Sequence, residues 1–206
     1  MNTIVSNKEG EGDLNADYAK RAELFMNVYA KEAVDYETFD LAQLGPCANH
    51  PYGYYGADVK PCIFLKFNKI WGWTPTPIDE QDFADNPDWP QSFKEHFESL
   101  SPSEQQNVFV DCQGRYPADK DALKNMKYYP TNRAFETKYF PYEGESKSID
   151  GSASVYHSPL VAIQVDLDES YVGQLVHIEC RAYYKGVEHV SKTKKGLVQF
   201  EVLLEK

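Results

Sequence analysis

The stretch Gln174–Tyr184, QLVHIECRAYY, decides how this chain folds. Val176, Ile178, Cys180 and Ala182 fall on one side of an extended backbone, and Leu175, His177, Glu179 and Arg181 on the other. Successive side chains of a strand point to opposite faces, so a period of two marks a strand with one face turned to a core. The pattern recurs. Ile63, Leu65 and Phe67 alternate with Phe64, Lys66 and Asn68; Val108, Val110 and Cys112 with Phe109 and Asp111; Val161, Ile163 and Val165 with Ala162 and Gln164. Near the C-terminus Val198, Phe200, Val202 and Leu204 share a face. Short alternating runs divided by Gly, Pro and Asn turns predict a mostly β fold, an antiparallel β-sandwich.

Other segments depart from this period. Tyr18, Ala22, Phe25, Met26, Tyr29 and Ala33 recur at helical spacing, which predicts an N-terminal helix with Asn15 as its N-cap and Asp17 at the positive end of its dipole. Residues 1–14, rich in Gly, Glu, Asp and Asn, are expected to be a flexible segment, and residues 15–206 a single domain. A long insertion covers about 72–105; Phe93 and Phe97, four apart, make it partly helical. Its acidic run, Asp79, Glu80, Asp82, Asp85 and Asp88, reads as a solvated loop, since no register supplies both the Gly and the Glu of a calcium-binding EF-hand loop.

Composition narrows the function. The net charge of −11 argues against nucleic acid and against anionic membrane surfaces, both of which need Lys and Arg. No apolar run approaches the ~18 residues of a membrane span, and residues 1–15 lack the apolar stretch of a signal peptide. The 15 Tyr and 11 Phe suit sheets and contact surfaces. No GxSxG, phosphate loop or GxGxxG occurs, and the histidines, His50, His96, His157, His177 and His189, are scattered without metal-binding spacing. No catalytic residue, metal ligand or cofactor is therefore named. The four cysteines, Cys47, Cys62, Cys112 and Cys180, allow three pairings. They form no CxxC, and the inward positions of Cys112 and Cys180 favour disulfides and hence an oxidising compartment.

Four ordered motifs carry a resemblance. The first is PC-I-x-x-K-x-N-x-x-x-G-x-x-P, filled by Pro61, Cys62, Ile63, Lys66, Asn68, Gly72 and Pro75, with Tyr52-Gly53-Tyr54 upstream. The others are YFPYEG at Tyr139–Gly144, YHSPLVAIQ at Tyr156–Gln164 and IECRAYY at Ile178–Tyr184. Together they resemble the beta subunits of the sodium/potassium-transporting ATPase and its proton/potassium relative, from about residue 15 to the C-terminus. The resemblance implies an extracellular immunoglobulin-like domain of a single-pass subunit whose membrane helix lies outside this chain. It implies a non-catalytic role at the plasma membrane: binding the alpha subunit of a P-type cation-transporting ATPase and supporting its folding, surface delivery and potassium transport. It pairs Cys47 with Cys62 and Cys112 with Cys180, the second expected as an inter-sheet bridge. It places partner contacts at Tyr139, Phe140, Pro141, Tyr142, Gly144 and Tyr156, whereas Trp71 and Trp73 read as rings packed within the domain.

Several features depart from the family pattern. Residues 1–46 hold no cysteine for a third disulfide, no Asn-x-Ser/Thr sequon occurs, Glu143 stands where a Tyr is usual, and residues 145–155 read as a flexible insert. These point to an invertebrate or divergent member, or to a sequence altered for expression. The alternative function is adhesion, through contact with another beta subunit or an adhesion receptor.

Overall fold

A computed structural model describes residues 2–7, 13–56, 58–145, 154–189, 192 and 195–205. In chain order it contains β1 (Asn2–Asn7), α1 (Asp13–Tyr29), β2 (Cys62–Lys66), α2 (Glu80–Asp85), α3 (Gln91–Glu98) and β3 (Val108–Gly114). There follow α4 (Pro117–Ala122), β4 (Leu123–Tyr129), β5 (Ala134–Phe135), β6 (Leu160–Leu167), β7 (Leu175–Tyr183) and β8 (Leu197–Glu205). Short 3₁₀ turns occupy Leu41–Ala48 and Thr137–Tyr139 among other places.

The strands form two sheets, one of five strands in the order β1-β8-β7-β3-β5 and one of three in the order β2-β6-β4. Register follows the alternation read from sequence. Val176 faces Val202 and Ile178 faces Phe200 across β7 and β8, and Val110 faces Ala182 across β3 and β7. Of these, Val110, Val176, Ile178, Phe200 and Val202 meet Ile63, Val161, Ile163 and Val165 of the smaller sheet in one core. The expected antiparallel sandwich with an N-terminal helix is what forms.

Both outer faces are covered as well. Ala19, Ala22, Met26 and Tyr29 of α1, with Phe39, Leu44 and Cys47, pack on Leu160 and Ala162. That burial on both sides explains why β6 reads as an almost unbroken apolar run. On the larger sheet, Phe83 of α2 and Phe93 and Phe97 of α3 cover Phe109 and Tyr183. Phe93 lies flat on Tyr183 with ring centres 4.0 Å apart.

Several expectations are corrected. Residues 1–14 were expected to be flexible, but Asn2–Asn7 pair in parallel with β8, because that strand has a free edge and Thr, Ile and Val suit an extended backbone; the remainder of that segment before Asp13 lies outside the described residues. Helix α1 begins at Asp13, which puts Asn15 inside it and buried rather than at its cap. Ala33 lies beyond its end. The acidic run is not all loop. Asp79 caps α2 by accepting from the Gln81 and Asp82 amides, and the Asp82 carboxylate accepts from the Asp79 amide in return. Val198 is 42% exposed although it shares its face with Phe200, because it lines an open hollow together with Leu65 and Phe67 of the β2 segment. The expected insert over 145–155 falls mostly on residues 146–153, outside the described residues.

Both disulfides are present. Cys47–Cys62 ties the stretch before β2 to that strand. Cys112–Cys180 is not an inter-sheet bridge: the two residues face each other on adjacent strands β3 and β7, with Cα atoms 4.0 Å apart. What joins the sheets here is Tyr128 of β4, whose hydroxyl accepts a 2.9 Å hydrogen bond from the Cys112 amide. Burial pushes that phenol's pKa well up, so it stays protonated. Among the described residues no helix is long and apolar enough to cross a membrane.

Candidate functional site

The segment Tyr139–Gly144 leaves the 3₁₀ turn at Thr137–Tyr139 as an extended chain crossing one end of the sandwich. Its start is fixed: the Thr137 amide donates to Asn107 Oδ1 at 3.1 Å, and its hydroxyl to the Gln106 carbonyl. Successive side chains then point to opposite sides, as extended backbone requires. Tyr139 turns inward, 3% exposed, against Phe39 at 5.6 Å. Phe140 turns to the other side and joins Phe67 and Trp73, at 5.8 and 5.6 Å, with Tyr184 and Phe135 packed around them.

Beyond Pro141 the chain meets the loop that follows β2. Tyr142 forms a parallel bridge with Trp71, and the Gly72 amide donates to the Tyr142 carbonyl at 2.8 Å. Gly72 has φ +62°, which lets the loop reverse there. Gly144, at φ +95°, lies under the Trp71 indole; a Cβ at this position would stand 2.2 Å from a ring carbon. Tyr36 locks the arrangement from below. Its hydroxyl donates to the Gly144 carbonyl at 2.6 Å and accepts from the Glu143 amide at 3.0 Å.

Three tyrosine rings, Tyr36, Tyr142 and Tyr156, pack together with centres 4.9 to 6.4 Å apart. The Lys69 ammonium sits over two of them, 5.3 Å from Tyr142 and 6.0 Å from Tyr156, and pairs with Glu145. The segment carrying Tyr156 is sewn to residues 34–39. Val155 bridges to Val34, and the Phe39 amide donates to Nδ1 of buried His157 at 3.2 Å. Burial pushes the Tyr139 and Tyr156 phenols up and the His157 imidazole down, so all three are neutral near pH 7.

The proposed contact residues therefore separate into two roles. Tyr139 and Tyr156 are buried, at 3% and 6% exposure, and support the surface without belonging to it. Phe140, Pro141, Tyr142 and Gly144 are half-buried. Trp73 packs within the domain as expected, but Trp71 does not: at 71% it is the most exposed large apolar side chain among the described residues, with Ile70 at 47% beside it. Trp71 rests on Gly144 and meets the Tyr142 ring edge to face. Sequence reasoning also passed over Tyr36 and Lys69, which no motif marks. The arrangement is a ring surface in which, among the described residues, no nucleophile and base are in contact. Among the described residues no three His, Cys, Asp or Glu side chains gather as a metal would require.

Comparison with known proteins bears on this surface. The family model described as sodium/potassium ATPase beta chain matches residues 6–201. Sodium/potassium-transporting ATPase subunit beta-1 of Drosophila melanogaster is 34% identical over 164 residues, 78% of this chain and 48% of that protein. Subunit beta-2 of the same organism is 31% identical over 171 residues, 81% of this chain and 48% of the relative. The probable subunit beta-3 of Caenorhabditis briggsae is 29% identical over 171 residues, 83% and 44% of the two chains. The chain thus spans about half the length of the curated relatives it matches.

Proposed function

This chain belongs to the sodium/potassium ATPase beta-chain family, and on that premise we propose that it is the extracellular domain of a non-catalytic subunit that docks on the alpha subunit of a P-type cation-transporting ATPase. In that role it supports the alpha subunit's folding, its delivery to the plasma membrane and potassium transport. The role asks nothing of this chain in catalysis; it asks for a rigid surface.

The observation that carries the reading is Trp71, 71% exposed yet held by Gly144, Tyr142 and the Gly72 hydrogen bond. A large apolar ring left in water and fixed in place is suited to burial in a partner, and interface centres are rich in Trp and Tyr for this reason. The ordering that such a contact requires is already present in the free domain. The test is co-expression of the beta subunit with the alpha subunit, followed by purification through a tag on alpha. Tyr142→Ala is expected to reduce recovery of the complex by roughly tenfold, the scale of an interface anchor, with the sandwich still folded. Undiminished recovery would exclude this surface.

A further inference from the structure

We propose that the hollow between Trp71 and Tyr36 receives one cationic side chain, an arginine or lysine, from the docked partner. The inference rests on the docking reading for the source of that side chain, and adds the chemistry of what is bound. The hollow has a volume of about 260 Å³ and is lined by Asp35, Tyr36, Trp71, Glu143, Gly144, Glu145 and Ser154. That volume suits one side chain; it is below the roughly 300–1,000 Å³ of sites that enclose a small molecule.

Three features select a cation. The first is the ring wall. Tyr36 and exposed Trp71 both line the hollow, and the faces of such rings carry the negative potential that attracts ammonium and guanidinium groups. The domain already uses this chemistry next door, where the Lys69 ammonium lies 5.3 Å from the Tyr142 ring centre. The second is charge balance. Lys69 takes Glu145, but no cation pairs with Asp35 or Glu143 among the described residues, and no Lys or Arg lines the hollow. The third is the adjoining hollow of about 490 Å³, which shares Asp35, Tyr36 and Glu143 as a wall and continues along Phe140 and Pro141. Its single lining cation, Lys138, pairs with Glu136 at 2.8 Å and with neither of the shared carboxylates. The cationic seat is thus continuous with the segment proposed to dock.

Two measurements separate this inference from the docking reading. The first titrates the chain with the Nα-acetylated forms of arginine amide and of citrulline amide, of which the second carries no charge, while following the indole resonance that Trp71→Phe removes. Arginine amide is expected to shift that resonance and citrulline amide to leave it in place. Asp35→Asn combined with Glu143→Gln should abolish the shift. Asn is well tolerated at the positive φ of Asp35, +65°, so this variant keeps the fold. Equal shifts with both amides, or none with either, overturn the proposal. The second measures recovery with the alpha subunit. A loss of roughly tenfold for the double variant supports a cationic guest from the partner. A loss with Trp71→Ala but none with the double variant overturns the cationic guest and leaves docking intact.

Discussion

Gly144 shows how a single residue sets the geometry of the exposed tryptophan. Its position beneath Trp71, at φ +95°, admits no side chain. Gly144→Ala is expected to push the indole off its seat and to cost about 1–3 kcal/mol, since strain at positive φ adds to the clash; a red shift in tryptophan emission and a lowered urea midpoint would record it. His157 offers a second test at this scale. Burial holds its pKa below the ordinary 6.5, and His189 likewise. The unfolded chain then binds protons more readily, so stability is full above about pH 6.5 and falls as pH drops below it. His157→Gln, whose amide oxygen can accept the Phe39 hydrogen bond, should flatten that fall in urea unfolding between pH 7.5 and 5.5. Parallel curves for the two proteins would show that His157 is not the group responsible.

At the scale of elements, the two disulfides do different work. On the chain-entropy model, closing 15 residues between Cys47 and Cys62 contributes roughly 3 kcal/mol and closing 68 between Cys112 and Cys180 roughly 4 kcal/mol. Replacing Cys112 and Cys180 together by Ala is expected to cost about 2–5 kcal/mol, measurable as a large loss of melting temperature. Replacing Cys47 and Cys62 should loosen the root of β2, and with it the Trp71 loop, more than the sandwich. The insertion also contributes directly to the fold: Phe93→Ala removes the ring stacked on Tyr183 and should destabilise the domain by about 3–5 kcal/mol. Sequence periodicity made the principal strands legible because each turns one regular face to the core. It left α2 hidden, since its cap and first turn are acidic residues that look like any solvated run. It also missed β4, an edge strand of sequence LKNMKYY in which only Tyr128 is buried, so that no alternation shows. Alternation told that Cys112 and Cys180 face inward, but not that their strands are neighbours in one sheet.

For the whole molecule, the layers explain why the ring surface is stiff. Helix α1 and the 39–54 stretch back one sheet, the insertion backs the other, and Tyr139 and Tyr156 root the Tyr142 segment in the packing beneath it. The motifs that carry the family resemblance pointed to this end of the domain, but sorting its residues into supports and contacts needed burial. Tyr139 and Trp71 are both aromatic and both near a motif, and only the fold reveals that the first is enclosed and the second is not. The most direct measurement places a photoreactive benzoylphenylalanine at position 71 of the full-length beta subunit, co-expressed with the alpha subunit, with the same group at exposed Tyr116 as control. Illumination should yield a covalent beta–alpha product from position 71 and none from position 116. An assembled complex that gives no alpha cross-link from position 71 would contradict the docking surface.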